Sequence, residues 1–299
     1  MQNIGSFTIN DIHCGDSAVL LKQLPAECID LTVTSPPYFN AREYSQYKTY
    51  QDYLGVLENI FTEVFRVTKP SRMVIVNLSP VIVERTKRSE QSYRIPIPFH
   101  FVPLMEKIGF EFLEDIIWRK PDGAAINRNA GFFQHRKPVA YKPNVVTEYV
   151  LVFKKPAPFL IDKVLKNEPI TDYEIEWTNV WSIQPETQSE HPAPFPEELA
   201  GKCIVYYSYK DEIVLDCFAG SGTTLRMAKM LNRNYIGFEM SPEYCTLARK
   251  SILASPVPLL NWQVAQQSVQ RTAGTVRQNS LFITDGELPS KARGATRRR

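Results

Sequence analysis

The chain has 299 residues with a net charge of +3; 43% are hydrophobic and 22% charged, an ordinary globular composition for a chain able to bury a sizeable core. No apolar run approaches the roughly 20 residues that cross a bilayer, and the opening MQNIGSFTINDIHCGD lacks a basic segment followed by an apolar one, so neither a membrane span nor a secretory signal is expected. Cys14, Cys28, Cys203, Cys217 and Cys245 are odd in number and form neither a CxxC pair nor a Cys/His cluster, so a reducing cytoplasm is expected rather than a disulfide scaffold or a structural zinc.

In chain order, the β-branched run 28–34 (CIDLTVT) stops at Ser35-Pro36-Pro37 and predicts a strand entering a rigid turn, because proline fixes its own φ and restricts the residue before it. Leu54, Leu57, Ile60, Phe61, Val64 and Phe65 recur at helical spacing over 51–67. Met73 to Leu78 reads as a strand, 99–108 as a helix capped by Gly109, and 111–118 (EFLEDIIW) as a strand. Residues 119–147 break this rhythm with Pro121, Gly123, Gly131, Pro138 and Pro143 among Arg119, Lys120, Arg128, Arg136, Lys137 and Lys142. A loop of this length is usually functional or disordered. A second basic cluster is Arg85, Lys87, Arg88 and Arg94. Strand character returns at 148–154 (EYVLVFK), and 155–190 is polar and irregular. Pro196, at the first helical position, opens a helix to Tyr207 with Glu197 and Glu198 in its first turn. Strand 213–216, helix 223–231, strand 235–239 and helix 242–253 follow. Alternating strands and helices predict an α/β sheet. Residues 271–299 carry seven basic and two acidic side chains, which predicts a disordered tail able to meet nucleic acid.

Two segments carry chemistry. The first is Asp216-Cys217-Phe218-Ala219-Gly220-Ser221-Gly222-Thr223-Thr224, between a strand and a helix, with Glu239 ending the next strand. Glycines permit a tight turn and close approach of a ligand, and an acid at that later strand end commonly accepts ribose hydroxyls. An adenosine-containing cofactor is therefore expected at the carboxyl ends of the strands. The third position of a dinucleotide fingerprint is Leu225 instead of glycine, and no GxxxxGK[ST] loop exists. Asp216 would repel a pyrophosphate but suit a cationic end, which favours S-adenosylmethionine. The second segment is Thr34-Ser35-Pro36-Pro37-Tyr38, at another strand end. Its prolines leave carbonyl oxygens without a competing local N–H, Ser35 adds a hydroxyl, and Tyr38 a flat ring. Such a turn can accept hydrogen bonds from an amine while stacking on a planar ring.

Together, SPPY at Ser35–Tyr38 and D-x-F-x-G-S-G at Asp216–Gly222 resemble the amino-methyltransferases of DNA, in the permuted order of their β group, with the catalytic motif first. Gly15-Asp16 and His191-Pro192-Ala193-Pro194-Phe195-Pro196 are similar to that branch's flanking motifs, and the resemblance spans about residues 8–253. It implies a doubly wound, seven-stranded, mostly parallel, Rossmann-like sheet with helices on both faces. It also implies transfer of a methyl group from S-adenosylmethionine to an exocyclic amine of a base flipped out of duplex DNA. Ser35 and the Pro36 carbonyl would accept from that amine, within the turn that Pro37 completes, and Tyr38 would stack on the base. Phe218, Gly220, Ser221, Gly222 and Thr223 would line the cofactor, Glu239 would hold its ribose, Asp16 would sit near the adenine and Phe195 near the pocket. Within the family SPPY goes mostly with cytosine N4; adenine N6 is the alternative. Less favoured are a silent DNA-binding protein and an RNA or protein amine methyltransferase.

The implied layout is a catalytic half at 1–118, target recognition at 119–190 around the core strand 148–154, a cofactor half at 191–260 and a tail at 261–299. Arg119, Lys120, Asn127, Arg128, Asn129, Arg136, Lys137 and Lys142 are the expected DNA-contacting residues, since arginine pairs with guanine, asparagine with adenine and lysine mostly with phosphate. The aromatic stretch 39–50, with Phe39, Arg42, Tyr44, Tyr47, Lys48 and Tyr50, could close over a flipped base or simply pack. No metal is expected, since His13, His100, His135 and His191 lack ligand spacing. Expected partners are double-stranded DNA and, functionally, a separate restriction endonuclease; no membrane partner is expected, and monomer and homodimer both remain open.

Overall fold

β-branched and aromatic side chains suit a pleated, buried surface, and most of the short apolar runs become strands of one sheet. The computed structural model describes residues 2–39, 47–83, 87, 92–122, 143–159, 175–186 and 195–255. The readings placed on Arg42, Tyr44, Arg85, Arg88, Asn127, Arg128, Asn129, His135, Arg136, Lys137, Lys142, His191 and the tail lie outside those residues.

The chain begins with a hairpin of β1 (Asn3–Ile4) and β2 (Phe7–Thr8), then β3 (Asp11–Cys14) and the short helix α1 (Ser17–Leu20). There follow β4 (Ile29–Thr34), α2 (Tyr50–Val67), β5 (Thr68–Leu78), the hairpin β6 (Val81–Val83) and β7 (Tyr93–Ile95), α3 (Ile97–Ile108), β8 (Glu111–Arg119) and β9 (Thr147–Lys154). The last elements are β10 (Val180–Ser182), α4 (Glu197–Tyr207), β11 (Ile213–Asp216), α5 (Thr223–Met230), β12 (Asn234–Glu239) and α6 (Pro242–Ala254). Eight strands form the central sheet in the order β10-β8-β9-β5-β4-β11-β12-β3. β9 is antiparallel to both neighbours, and every other adjacent pair is parallel.

Alternation along the strands feeds two faces. Val74, Val76 and Leu78 of β5, Leu215 of β11, and Ile236 and Phe238 of β12 join Tyr53, Leu57, Ile60 and Phe61 of α2 and Phe101 of α3 in one buried cluster. Gly237, between Ile236 and Phe238, turns the other way, towards Leu225 of α5. Thr49 and Asp52 form a reciprocal cap that starts α2: Asp52 N donates to Thr49 Oγ1 at 3.1 Å and Thr49 N to Asp52 Oδ2 at 3.0 Å.

Three expectations are corrected. Residues 155–190 contain a strand, β10, that pairs in parallel with β8 and makes the sheet eight-stranded; three residues are too few for any periodicity to show. Pro196 is the residue that caps α4 rather than its first helical residue, because its ψ of 138° is extended. The buried stripe of α2 is Tyr53, Leu57, Ile60, Phe61, Val64 and Val67, rotated from the expected one, so that Leu54 and Phe65 are only half-buried. The first 27 residues add β1, β2 and β3, of which β3 closes the sheet beside β12. Among the described residues no helix is long and apolar enough to cross a membrane.

Because seven strands of the sheet run one way, one edge collects the carboxyl ends of β3, β12, β11, β4, β5, β8 and β10, together with the amino end of β9. Both chemistry-bearing segments leave the sheet at that edge.

Candidate active site

β4 and β11 are neighbours, with Val214 opposite Leu31 and Leu215 opposite Thr32. The two turns that follow them are therefore adjacent in space. Thr34 Oγ1 donates to Asp216 Oδ1 at 2.6 Å across 182 positions of sequence. The same carboxylate oxygen accepts from Phe218 N at 3.0 Å, so Asp216 ties the glycine turn to the strand that delivers Ser35. Burial pushes the Asp216 carboxyl up to about 6, against the hydrogen bonds from Thr34, the Phe218 N–H and Thr224, and Glu239 adds to the rise.

The turn is shaped for close approach. Gly220 and Gly222 have φ of +51° and +81°, which side-chain-bearing residues rarely adopt. A Cβ on Gly222 would stand 2.8 Å from Ala248 Cβ of α6, so a third element presses on the turn. Gly222 N donates to Ala219 O at 2.7 Å, and Ala219 N to Phe238 O at 2.9 Å. Glu239 Oε2 accepts from Gly220 N and Oε1 from Ser241 N, both at 2.8 Å. A carboxylate offers about four acceptor positions, so each oxygen keeps capacity for one ribose hydroxyl. β3 brings Asp16 to the same place: Gly15 N donates to Glu239 O at 2.9 Å, and Asp16 caps α1 by accepting from Ala18 N at 2.9 Å. Ser17 Oγ donates to the carbonyl of Cys217. Asp16, Asp216 and Glu239 thus gather three carboxylates around the turn. This set of acceptors fits a cationic adenosine derivative and opposes a polyphosphate. Thr223 begins α5 and Ser221 precedes it, both half-buried. Phe195 is half-buried just before α4, and Glu197 of that helix pairs with Arg226 of α5.

Beside this turn, Ser35 Oγ donates to the main-chain carbonyl of Asn77 at 3.2 Å, at the end of β5. Giving its proton there leaves the serine lone pairs free to accept from a ligand. Pro36 is buried and Pro37 and Tyr38 are half-buried. The Tyr38 hydroxyl donates to Glu148 Oε2 at 2.8 Å. Asn77 Nδ2 donates to the same Glu148 oxygen at 2.8 Å and to the Tyr38 hydroxyl at 3.2 Å. Burial, and then the neighbouring Glu148 charge, hold the Tyr38 phenol well above its ordinary range, so it stays a neutral donor. Lys120 Nζ contacts Glu148 Oε1 and lies 4.6 Å from the centroid of the Trp118 ring. Asn77 and Glu148 were not singled out in the sequence, although an acid opening the apolar run of β9 is an available signal.

Phe39, Tyr47 and Tyr50 pack with the fully buried Tyr53, with ring centroids 5.1–5.9 Å from it. Tyr50 Oη lies 2.9 Å from His100 Nδ1, in hydrogen-bond contact. Of the expected DNA-contacting residues, Arg119 is 55% exposed and stands 3.6 Å from Asp122, whereas Lys120 turns inward to Glu148. Both border a cavity of about 250 Å³ shared with Pro121, Ser182, Ile183 and Gln184.

The profile of the family described as DNA methylase matches residues 29–250. The type II beta methyltransferase M.BslI of Bacillus sp. (strain NEB-606) is 32% identical over 253 residues, covering 81% of this chain and 27% of that protein. The type II methyltransferase M.SmaI of Serratia marcescens is 27% identical, covering 81% of this chain and 90% of that protein. A Thermus thermophilus protein described as a putative DNA modification methylase, solved in complex with S-adenosyl-L-methionine, superposes with a TM-score of 0.64. It is 28% identical and covers 84% of this chain and 98% of that one.

Proposed function

We propose that this chain, which belongs to the DNA methylase family, transfers the methyl group of S-adenosyl-L-methionine to the exocyclic N4 amine of cytosine in duplex DNA. It is a DNA methyltransferase of the restriction-modification type that uses S-adenosylmethionine, and the serine of its SPPY turn favours cytosine N4 over adenine N6. The observation that carries the reading is Ser35, whose hydroxyl is spent on the Asn77 carbonyl beside the turn tied by Asp216.

When bound, S-adenosylmethionine supplies an electrophilic methyl group on a positively charged sulfur. Glu239 would hold its ribose hydroxyls, Asp16 would sit near its adenine, Phe195 near the pocket, and the turn Phe218–Thr223 would line its body. Asp216 offers negative charge from beneath. On the substrate side, an aromatic amine delocalises its lone pair into the ring and is a poor nucleophile. Ser35 Oγ and the Pro36 carbonyl accept its two N–H groups and draw the nitrogen towards tetrahedral geometry, which aims the lone pair at the methyl. Neither acceptor is a strong base, so the nitrogen would attack with both protons still on it; as its bond to the methyl carbon forms the methyl–sulfur bond would break, releasing the neutral thioether, and the methylated amine would then lose one proton to solvent. The Tyr38 ring, anchored through its hydroxyl, stacks on the flipped base.

Residues 119–190 would supply target recognition between a catalytic half (1–118) and a cofactor half (191–260). Arg119 and, outside the described residues, Asn127, Arg128, Asn129, Arg136, Lys137 and Lys142 are the proposed DNA contacts. Two relatives named type II methyltransferases support a pairing with a separate endonuclease. The test is incubation with tritiated S-adenosylmethionine and unmethylated duplex DNA, then nucleoside digestion and mass spectrometry. N4-methylcytosine is expected. N6-methyladenine would keep the mechanism and overturn the base, and label absent from DNA would overturn the reading.

A further inference from the structure

We infer that Glu148 is the positioning residue of the candidate active site, holding Tyr38, and that Lys120 holds Glu148. The inference rests on the reading of Tyr38 as the residue that stacks on the target base. Glu148 is the second residue of β9, opposite Trp118 of β8, and its side chain is 13% exposed. Three donors converge on its carboxylate. The Tyr38 hydroxyl and Asn77 Nδ2 reach Oε2, each at 2.8 Å, and Lys120 Nζ reaches Oε1. Asn77 in turn accepts the Ser35 hydroxyl on its main-chain carbonyl. One carboxylate is therefore a single hydrogen bond from Tyr38 and one intervening residue from Ser35.

The chemistry needs such a holder. A tyrosine ring anchored only at Cα and Cβ can turn about both side-chain torsions, and a base stacked on it would turn with it. Anchoring the hydroxyl at the far end fixes the ring plane, and with it the direction of the amine lone pair. Lys120 supplies the opposing charge, and the Trp118 ring beneath it restrains the ammonium. The main chain adds a further tie, since Lys120 N donates to Val146 O at 2.7 Å just beyond the β8–β9 pairing. The end of β8 and the start of β9 are thereby tied together beside the group that holds Tyr38. This gives Lys120 a different role from the phosphate contact expected of it.

The experiment compares wild type with Tyr38→Phe, Tyr38→Ala, Glu148→Ala, Glu148→Gln and the double variant Tyr38→Phe/Glu148→Ala. It measures kcat and KM for methyl transfer to unmethylated duplex DNA, S-adenosylmethionine affinity by calorimetry, and thermal midpoints. Tyr38→Phe and Glu148→Ala are each expected to lower kcat by roughly tenfold to a hundredfold, with cofactor affinity within about twofold of wild type. The double variant should fall within about twofold of the worse single one, because both changes remove one bond. Glu148→Gln keeps an acceptor but turns an amide N–H towards the converging donors, so it should lower the midpoint less than Glu148→Ala does and give an intermediate kcat. It also serves if Glu148→Ala does not fold. Unchanged kcat in Tyr38→Phe or in both Glu148 variants, or multiplicative losses in the double variant, would overturn the inference. Tyr38→Ala tests the stacking itself: if it turns over normally, the reading of Tyr38 fails as well, whereas a dead Tyr38→Ala beside a fully active Tyr38→Phe sinks only the role of Glu148.

Discussion

Ser35 donates to the Asn77 carbonyl, which leaves its oxygen able to accept from a ligand. Ser35→Ala removes one of two acceptors for the amine and should lower kcat by roughly a hundredfold while leaving cofactor affinity unchanged, as read by single-turnover kinetics and calorimetry. Parallel loss of cofactor affinity would place Ser35 in binding instead. Asp216 makes a prediction about pH. Its carboxyl is raised from 3.8 to about 6, so between those values the native state holds more protons than the unfolded one. Stability must then fall as pH rises through that window, by about 3 kcal/mol once above it. A cationic cofactor favours the ionised form. Its affinity should therefore rise with pH up to about 6 and level off above, by at most roughly tenfold per pH unit for one linked proton. Asp216→Asn should flatten that profile; a wild-type affinity indifferent to pH from 5 to 7 would separate Asp216 from the cofactor.

Among the elements, the glycine turn depends on three neighbours at once. β12 binds it through Phe238 O and the Glu239 carboxylate, β4 through Thr34, and α6 presses Ala248 against Gly222. Gly222→Ala combines a left-handed φ with a methyl 2.8 Å from another, and should cost about 2–4 kcal/mol. A thermal midpoint lower by roughly 5–10 °C is expected, together with weakened cofactor binding; an unshifted midpoint would mean that α6 gives way. The same scale explains what periodicity could and could not reveal. α2 was legible as a helix because 18 residues repeat its stripe, yet the stripe is rotated because Tyr53 is buried under Phe39, Tyr47 and Tyr50. β1, β2 and β10 have two or three residues each and owe their form to their strand partners.

At the scale of the whole molecule, every described strand and helix lies between Asn3 and Ala254. Residues 271–299 hold seven basic side chains against two acidic ones, leaving residues 1–270 with a net charge of −2. Removing 261–299 should leave cofactor affinity and thermal midpoint unchanged, but make the logarithm of DNA affinity fall less steeply across a salt series, since fewer phosphate counterions are released. An unaltered salt slope would show that the tail does not meet DNA.

By itself the sequence determined the alternating α/β order, the two motif segments and their place at strand ends. Each of these is local: a β-branched run stopped by two prolines, or glycines between a strand and a helix, needs no distant partner to be read. Only the tertiary structure decided which strands stand side by side, and so which distant residues meet. The bond from Thr34 to Asp216 joins segments 182 positions apart, and Glu148 reaches Tyr38 across 110. Nothing in the spacing of Lys120, Glu148 and Asn77 marks them as one group. They converge because β9 runs antiparallel between β5 and β8, which brings its first residues to the edge where the other strands end.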